Sequence, residues 1–154
     1  MPAIKKVVLE NFKSFDVLTL QFDPVTNVLI GDNETGMSSV LLALDLTLSA
    51  SRSRVENIGY EALLNQSAVQ KFLAGPLKLE LLPQVIVDVF LEEGDDQGFY
   101  GTQNLLGTKT DGLRMAIVPL VEEFGPTIVE LLKANKDSFP YEYYTVQFLT
   151  FSGA

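Results

Sequence analysis

The chain has 154 residues, 47% of them hydrophobic and 20% charged, with 11 Lys+Arg against 20 Asp+Glu for a formal net charge of −9. That length suits one domain with a sizeable core. With no Cys and no His, disulfide frameworks, Cys/His zinc sites and His-based nucleophile systems are excluded.

The acidic balance argues against this chain alone coating nucleic acid, which needs Lys and Arg to neutralise phosphates. No apolar run approaches the roughly 20 residues of a membrane span, and the start carries no signal-peptide pattern. The expectation is a cytoplasmic domain with no membrane partner.

Residues 3–9 are rich in β-branched side chains and read as a strand. A polar break with Phe12 and Phe15 follows. Residues 17–22 alternate, with Leu18, Leu20 and Phe22 on one face, which is the signature of a half-buried strand. Asp23-Pro24 marks a turn, and residues 27–30 form a short apolar run ending at Gly31.

Gly31-Asp32-Asn33-Glu34-Thr35-Gly36 is a polar loop bounded by glycines, and Ser38-Ser39 open a helical pattern to about Ser49. That helix is apolar nearly all round, as expected of one packed on a sheet and covered by other elements. Residues 50–58 are small and polar. Residues 60–73 have helical spacing stopped by Ala74-Gly75-Pro76.

Residues 85–92 read as a strong strand, the core of a strand segment expected over 79–92. Residues 94–112 are a long glycine-rich excursion. Residues 113–134 are expected to be helical, broken at Gly125-Pro126, with apolar surface along 120–132 that other elements would cover in a larger assembly. Residues 141–151 read as a final strand.

One segment carries chemistry. A glycine-bounded loop between a buried strand and a helix turns backbone N–H groups and the helix N-terminus into an anion cradle. The full pattern is G-x-x-x-x-G-K-S/T. Gly31, Gly36 and Ser38 are in place, Ser38 as the hydroxyl that would reach Mg²⁺; the position of the lysine holds Met37. A strand–turn–helix connection whose glycines serve turn geometry has the same spacing.

Residues 4–49 further contain Glu10-Asn11-Phe12-Lys13-Ser14-Phe15, Phe22-Asp23-Pro24 and Asn27-Val28-Leu29-Ile30-Gly31. On these motifs the chain resembles the N-terminus of RecF/SMC-like, ABC-type ATPases. With Leu42-Ala43-Leu44-Asp45, Ser51-Arg52-Ser53 and Leu81-Leu82-Pro83, it looks most like the OLD family of ATP-dependent endonucleases. The resemblance implies an α/β P-loop NTPase fold: the first lobe of an ABC/SMC-like head, spanning 1–154, with a mixed or antiparallel sheet and flanking helices. It implies ATP and Mg²⁺ as cofactors. Gly31, Asn33, Gly36, Ser38 and Ser39 would line the phosphates within the loop that also holds Asp32, Glu34, Thr35 and Met37, and Lys13 and Ser14 would border the nucleotide. An exposed surface lysine is the alternative for Lys13.

Two departures bear on activity. Methionine has neither charge nor donor, so the phosphate cradle would lack its electrostatic clamp. Expected are weak ATP binding and little or no hydrolysis. Neither a signature segment nor a nuclease carboxylate cluster is present, so the chain is expected to hold about half of a head and to cut no DNA by itself; nucleic acid would be met only through other parts. Two functions follow. One is the ATP-binding lobe of an OLD-like nuclease in DNA processing or phage defence. The other is a non-catalytic interaction or decoy protein that pairs with itself or with a complete ATPase homologue.

Three weaker features are read blandly. Glu92-Glu93 are a solvated strand end rather than a Mg²⁺-holding acidic strand end. Glu92-Glu93-Gly94-Asp95-Asp96 are a solvated turn rather than a cation loop. Tyr141, Tyr143 and Tyr144 are packing residues rather than base-stacking ones, with Tyr143 on a strand surface.

Overall fold

The computed structural model describes residues 4–22, 34–94, 97–135 and 137–153. Strands β1 (Ile4–Glu10), β2 (Val17–Gln21), β3 (Val85–Leu91), β4 (Tyr100–Gly101), β5 (Thr110–Pro119) and β6 (Tyr144–Thr150) form one sheet. Its order is β2-β1-β3-β5, with β4 and β6 both on the far side of β5, and the described pairings are all antiparallel. The strand expected at 27–30 lies outside the described residues.

The pleat sorts side chains by face. On the first face Val7, Leu9, Val87, Val89, Met115, Ile117 and Val146 form a buried cluster with Val40, Ala43, Leu44 and Leu46 of α1 (Glu34–Ser49). β3 is buried at every position, as expected for a strand covered on both faces. On the second face Val8, Phe90 and Phe151 make a small core of their own, with the rings of Phe90 and Phe151 edge-to-face at 4.9 Å.

α1 is apolar all round in sequence, but only part of its surface is covered: Leu41 is 53% and Leu48 37% exposed. Residues 50–58 hold a further helix, α2 (Arg52–Ile58), capped by the Ser51 hydroxyl, which accepts from the Arg54 N–H at 3.3 Å. The Arg52 guanidinium donates to the Thr145 hydroxyl and the Val146 carbonyl, both at 2.8 Å, and so ties α2 to β6. The pattern over 60–73 is two helices, α3 (Tyr60–Leu63) and α4 (Gln66–Ala74), parted where Leu64 bridges to Phe12 and Asn65 caps α4.

The largest correction is at 113–134. Residues up to Pro119 are strand β5, and the helix, α5 (Val121–Ala134), begins only after it. β5 hydrogen-bonds to β3 on one side and to β6 on the other, and that pairing overrides a composition that also suits a helix. The expected break at Gly125-Pro126 is present: Phe124 has non-helical φ/ψ of −124°, 15°. The stripe of α5 is covered within the chain, with Ile128 and Leu132 packed on Phe72 and Leu82.

Smaller shifts occur at two strand ends. Leu79–Leu81 and Tyr141–Tyr143 are 3-10 turns that precede their strands. Tyr143 therefore packs on Phe124, ring centroids 5.2 Å apart, from a turn and not from a strand surface. Tyr144 is buried, with its hydroxyl donating to the Pro83 carbonyl at 2.7 Å. The described part of the glycine-rich excursion contains β4 and the start of β5, and Leu105 folds over the second face of the sheet.

Candidate functional site

α1 is the helix of the phosphate-loop motif. It is 16 residues long, or about 24 Å, and it begins at Glu34. Gly36 and Met37 are therefore helical, so the loop gives way to helix earlier than the expected Ser38. Gly36 lies within the first turn of the helix. Met37 is half-buried, Ser38 exposed and Ser39 buried. Gly31, Asp32 and Asn33 lie outside the described residues, as do the side chains of Glu34 and Thr35.

These residues fit a phosphate group in kind. A helix N-terminus concentrates N–H donors and the positive end of the helix dipole. Two hydroxyls follow in its second turn, at Ser38 and Ser39. The side chain at 37 adds no cation.

The second predicted element, the Lys13-Ser14 turn, is built with care. Asn11 and Lys13 both hold left-handed backbone, φ 55° and 53°. For lysine that conformation costs on the order of 1–2 kcal/mol, so the surroundings must hold it. The Lys13 N–H donates to the Leu63 carbonyl at 2.7 Å, and the Asn65 N–H to the Asn11 carbonyl at 2.9 Å. Asn65, 5% exposed, donates from its side-chain amide to the carbonyls of Lys13 (2.9 Å) and Phe15 (3.2 Å). Its Oδ1 accepts from the Ala68 N–H at 2.9 Å and so caps α4. One buried amide thus welds the turn to the start of a helix. The described contacts of Lys13 and Ser14 are with this α3–α4 corner, where they line a shallow cavity with Asn65 and Ser67.

The acidic candidates resolve differently. Asp88 is fully buried at mid-strand on the second face. Its Oδ1 accepts from Arg114 Nε at 2.7 Å, and its Oδ2 from Arg114 Nη2 at 3.0 Å and from the Leu105 N–H at 2.7 Å. Both oxygens are thus committed to the fold. Glu92 and Glu93 are exposed, and no group of three acidic residues among the described residues is placed to hold a metal ion. Asp95 and Asp96 lie outside the described residues. Sequence reasoning overlooked the Asp88–Arg114 pair; the signal was a carboxylate in the middle of an otherwise apolar strand.

Among the described residues no helix is long and apolar enough to cross a membrane. Two bacterial proteins named DNA replication and repair protein RecF align with part of the chain. The one from Lachnoclostridium phytofermentans is 42% identical over 43 residues, covering 28% of this chain and 12% of that protein. The one from Exiguobacterium sp. is 35% identical over 63 residues, covering 38% of this chain and 17% of that protein. The alignments therefore span less than a fifth of either relative. A family profile described as AAA ATPase domain matches residues 3–104, which take in the phosphate-loop motif, the Lys13 turn and the first three strands: the chain belongs to the AAA ATPase domain family.

Proposed function

We propose that this chain is the nucleotide-binding lobe of an ATPase that works on DNA, with the phosphates of ATP on Gly31–Ser39, Mg²⁺ at the Ser38 hydroxyl, and the Lys13-Ser14 turn at the border of the site. The observation that carries this reading is the AAA ATPase match across 3–104, which includes the loop and the helix behind it. The partial likeness to RecF proteins supports a DNA-processing role. In finer terms we place the chain in an OLD-like, cytoplasmic system of DNA processing or phage defence, on the motifs around 42–45, 51–53 and 81–83.

Mg-ATP supplies a phosphoryl group activated for transfer, and this chain's residues bind and orient it. Helix α1 presents its N-terminal dipole, and Ser38 and Ser39 present hydroxyls. The charge balance is adverse: Asp32 and Glu34 bring two carboxylates to the motif and Met37 brings no cation. The missing charge-assisted contact is worth on the order of 1.5–3 kcal/mol, roughly 10- to 100-fold in affinity. Met37 also favours a second reading, a non-catalytic lobe that acts by pairing with a complete ATPase.

Calorimetric titration of Mg-ATP into the wild type and Met37→Lys tests both readings. We expect weak binding that tightens about 10- to 100-fold in the variant. Equal affinity in the two proteins overturns the role given to Met37. Absence of binding in both overturns the nucleotide site and leaves the pairing reading.

A further inference from the structure

A cavity of about 740 Å³ opens at the Lys5 end of the sheet, within the size range of small-ligand sites. Lys5 and Glu10 are five residues apart on β1, roughly 17 Å at strand rise, so this cavity lies at the other end of the strand from the Lys13 turn. It takes residues from five separate stretches: the start of β1, the end of β2, α1, the end of β3 and the start of β5, the last two where they meet the glycine-rich excursion.

Its chemistry is divided. Ile4, Phe22 and Leu44 give it an apolar wall, while Lys5, Lys6, Thr108 and Thr110 give it cations and hydroxyls. Each lysine is held by a neutral partner. Lys5 Nζ donates to the Thr110 hydroxyl at 3.1 Å, and Lys6 Nζ sits 4.8 Å from the centre of the Phe90 ring. An ammonium has three donors, and Thr110 accepts one of those on Lys5. The ion pairs among the described residues are Arg54–Asp45 and Arg114–Asp88, so neither lysine is neutralised there. Glu92 is the one carboxylate among the described residues of the lining. Among those residues two ammonium groups stand against one carboxylate, on a chain of net charge −9.

An apolar wall beside two ammonium groups and two hydroxyls matches a ligand with an aromatic base at one end and a phosphate at the other. We propose that this cavity binds a nucleoside monophosphate. Its phosphate lies at Lys5, Lys6 and the two threonine hydroxyls, its base lies against Phe22 and Leu44, and Glu92 accepts from the ribose hydroxyls. The described lining shares no residue with Gly31–Ser39, and the proposal does not rest on the ATP reading above.

Titration of the ¹⁵N-labelled full chain with AMP in the absence of Mg²⁺, followed by amide shifts, tests it. We expect saturable shifts at Lys5, Lys6, Thr108 and Thr110. Adenosine alone and inorganic phosphate alone are each expected to bind at least tenfold more weakly than AMP. The double variant Lys5→Gln/Lys6→Gln is expected to weaken AMP at least tenfold; if its spectrum shows misfolding, Lys6→Gln alone serves, because Lys6 is only half-buried. Ser38→Ala is expected to leave these shifts unchanged. Shifts that do not saturate, that survive loss of the lysine charges, or that adenosine reproduces at equal affinity overturn the proposal. Shifts confined to the α1 N-terminus also overturn it while leaving the ATP reading intact. Shifts at the lysine cavity with no response of α1 to Mg-ATP do the reverse.

Discussion

Asp88 shows how one side chain joins distant parts of this fold. It pairs with Arg114 across β3 and β5 and accepts the Leu105 N–H from the excursion above the sheet. Its desolvation is balanced by those partners, so removing it leaves a partly exposed guanidinium and the Leu105 N–H without that acceptor. We expect Asp88→Ala to lower unfolding free energy by about 1–3 kcal/mol in urea titration. The excursion should also become sensitive to protease near Leu105. Gly112 is the second residue of this kind: a Cβ there would run into the Phe151 ring. Gly112→Ala is expected to cost at least about 1–3 kcal/mol by overpacking, read as a lower urea midpoint. Asp88 holds Leu105 of the glycine-rich segment, and Gly112 closes that segment against the Phe151 ring.

At the scale of elements, the α3–α4 corner and β5 matter most. Asn65 caps α4 and satisfies two carbonyls of the Lys13 turn, so Asn65→Ala removes a cap worth about 1 kcal/mol and orphans partly buried acceptors at about 1–3 kcal/mol more. We expect a loss of roughly 2–4 kcal/mol in chemical denaturation, with faster hydrogen exchange at the Lys13 amide. β5 shows what a sequence reading misses and why. Leu113, Arg114, Met115 and Ala116 are good helix formers, and the run flows without a polar break toward α5. Only partners on both edges make it a strand. By contrast β1, β2 and β3 were legible, because β-branched content and strict alternation are local. α2 was not, because its short polar stretch has no apolar stripe and is held by Arg52 reaching β6.

For the whole molecule, stability should fall at alkaline pH. Burial pushes the phenols of Tyr60 and Tyr141 up from their ordinary value, and that of Tyr144 far above it. The folded chain then holds these protons more tightly than the unfolded chain does. Stability is complete below about pH 10 and is lost as pH rises above it. Urea midpoints at pH 9 and pH 11 measure the fall. Tyr144→Phe is expected to flatten it, while lowering stability at pH 9 by about 1–3 kcal/mol through the orphaned Pro83 carbonyl.

The candidate site divides along the same line. The glycine spacing, the hydroxyls and Met37 are contiguous in the chain, and together with the motifs at 10–15, 22–24 and 27–30 they carried the resemblance to ATPases that the AAA ATPase match across 3–104 bears out at family level. Sequence by itself pointed to the ATPase family and raised the expectation of weak binding from Met37, because a phosphate-loop motif is read from neighbours. Tertiary structure decided that 110–119 is a strand, that Asp88 belongs to the fold, and that Lys5 and Thr110 share one cavity. Those contacts join residues separated by 26 and 105 positions, and no local pattern records which distant side chain will satisfy a buried charge or close a recess.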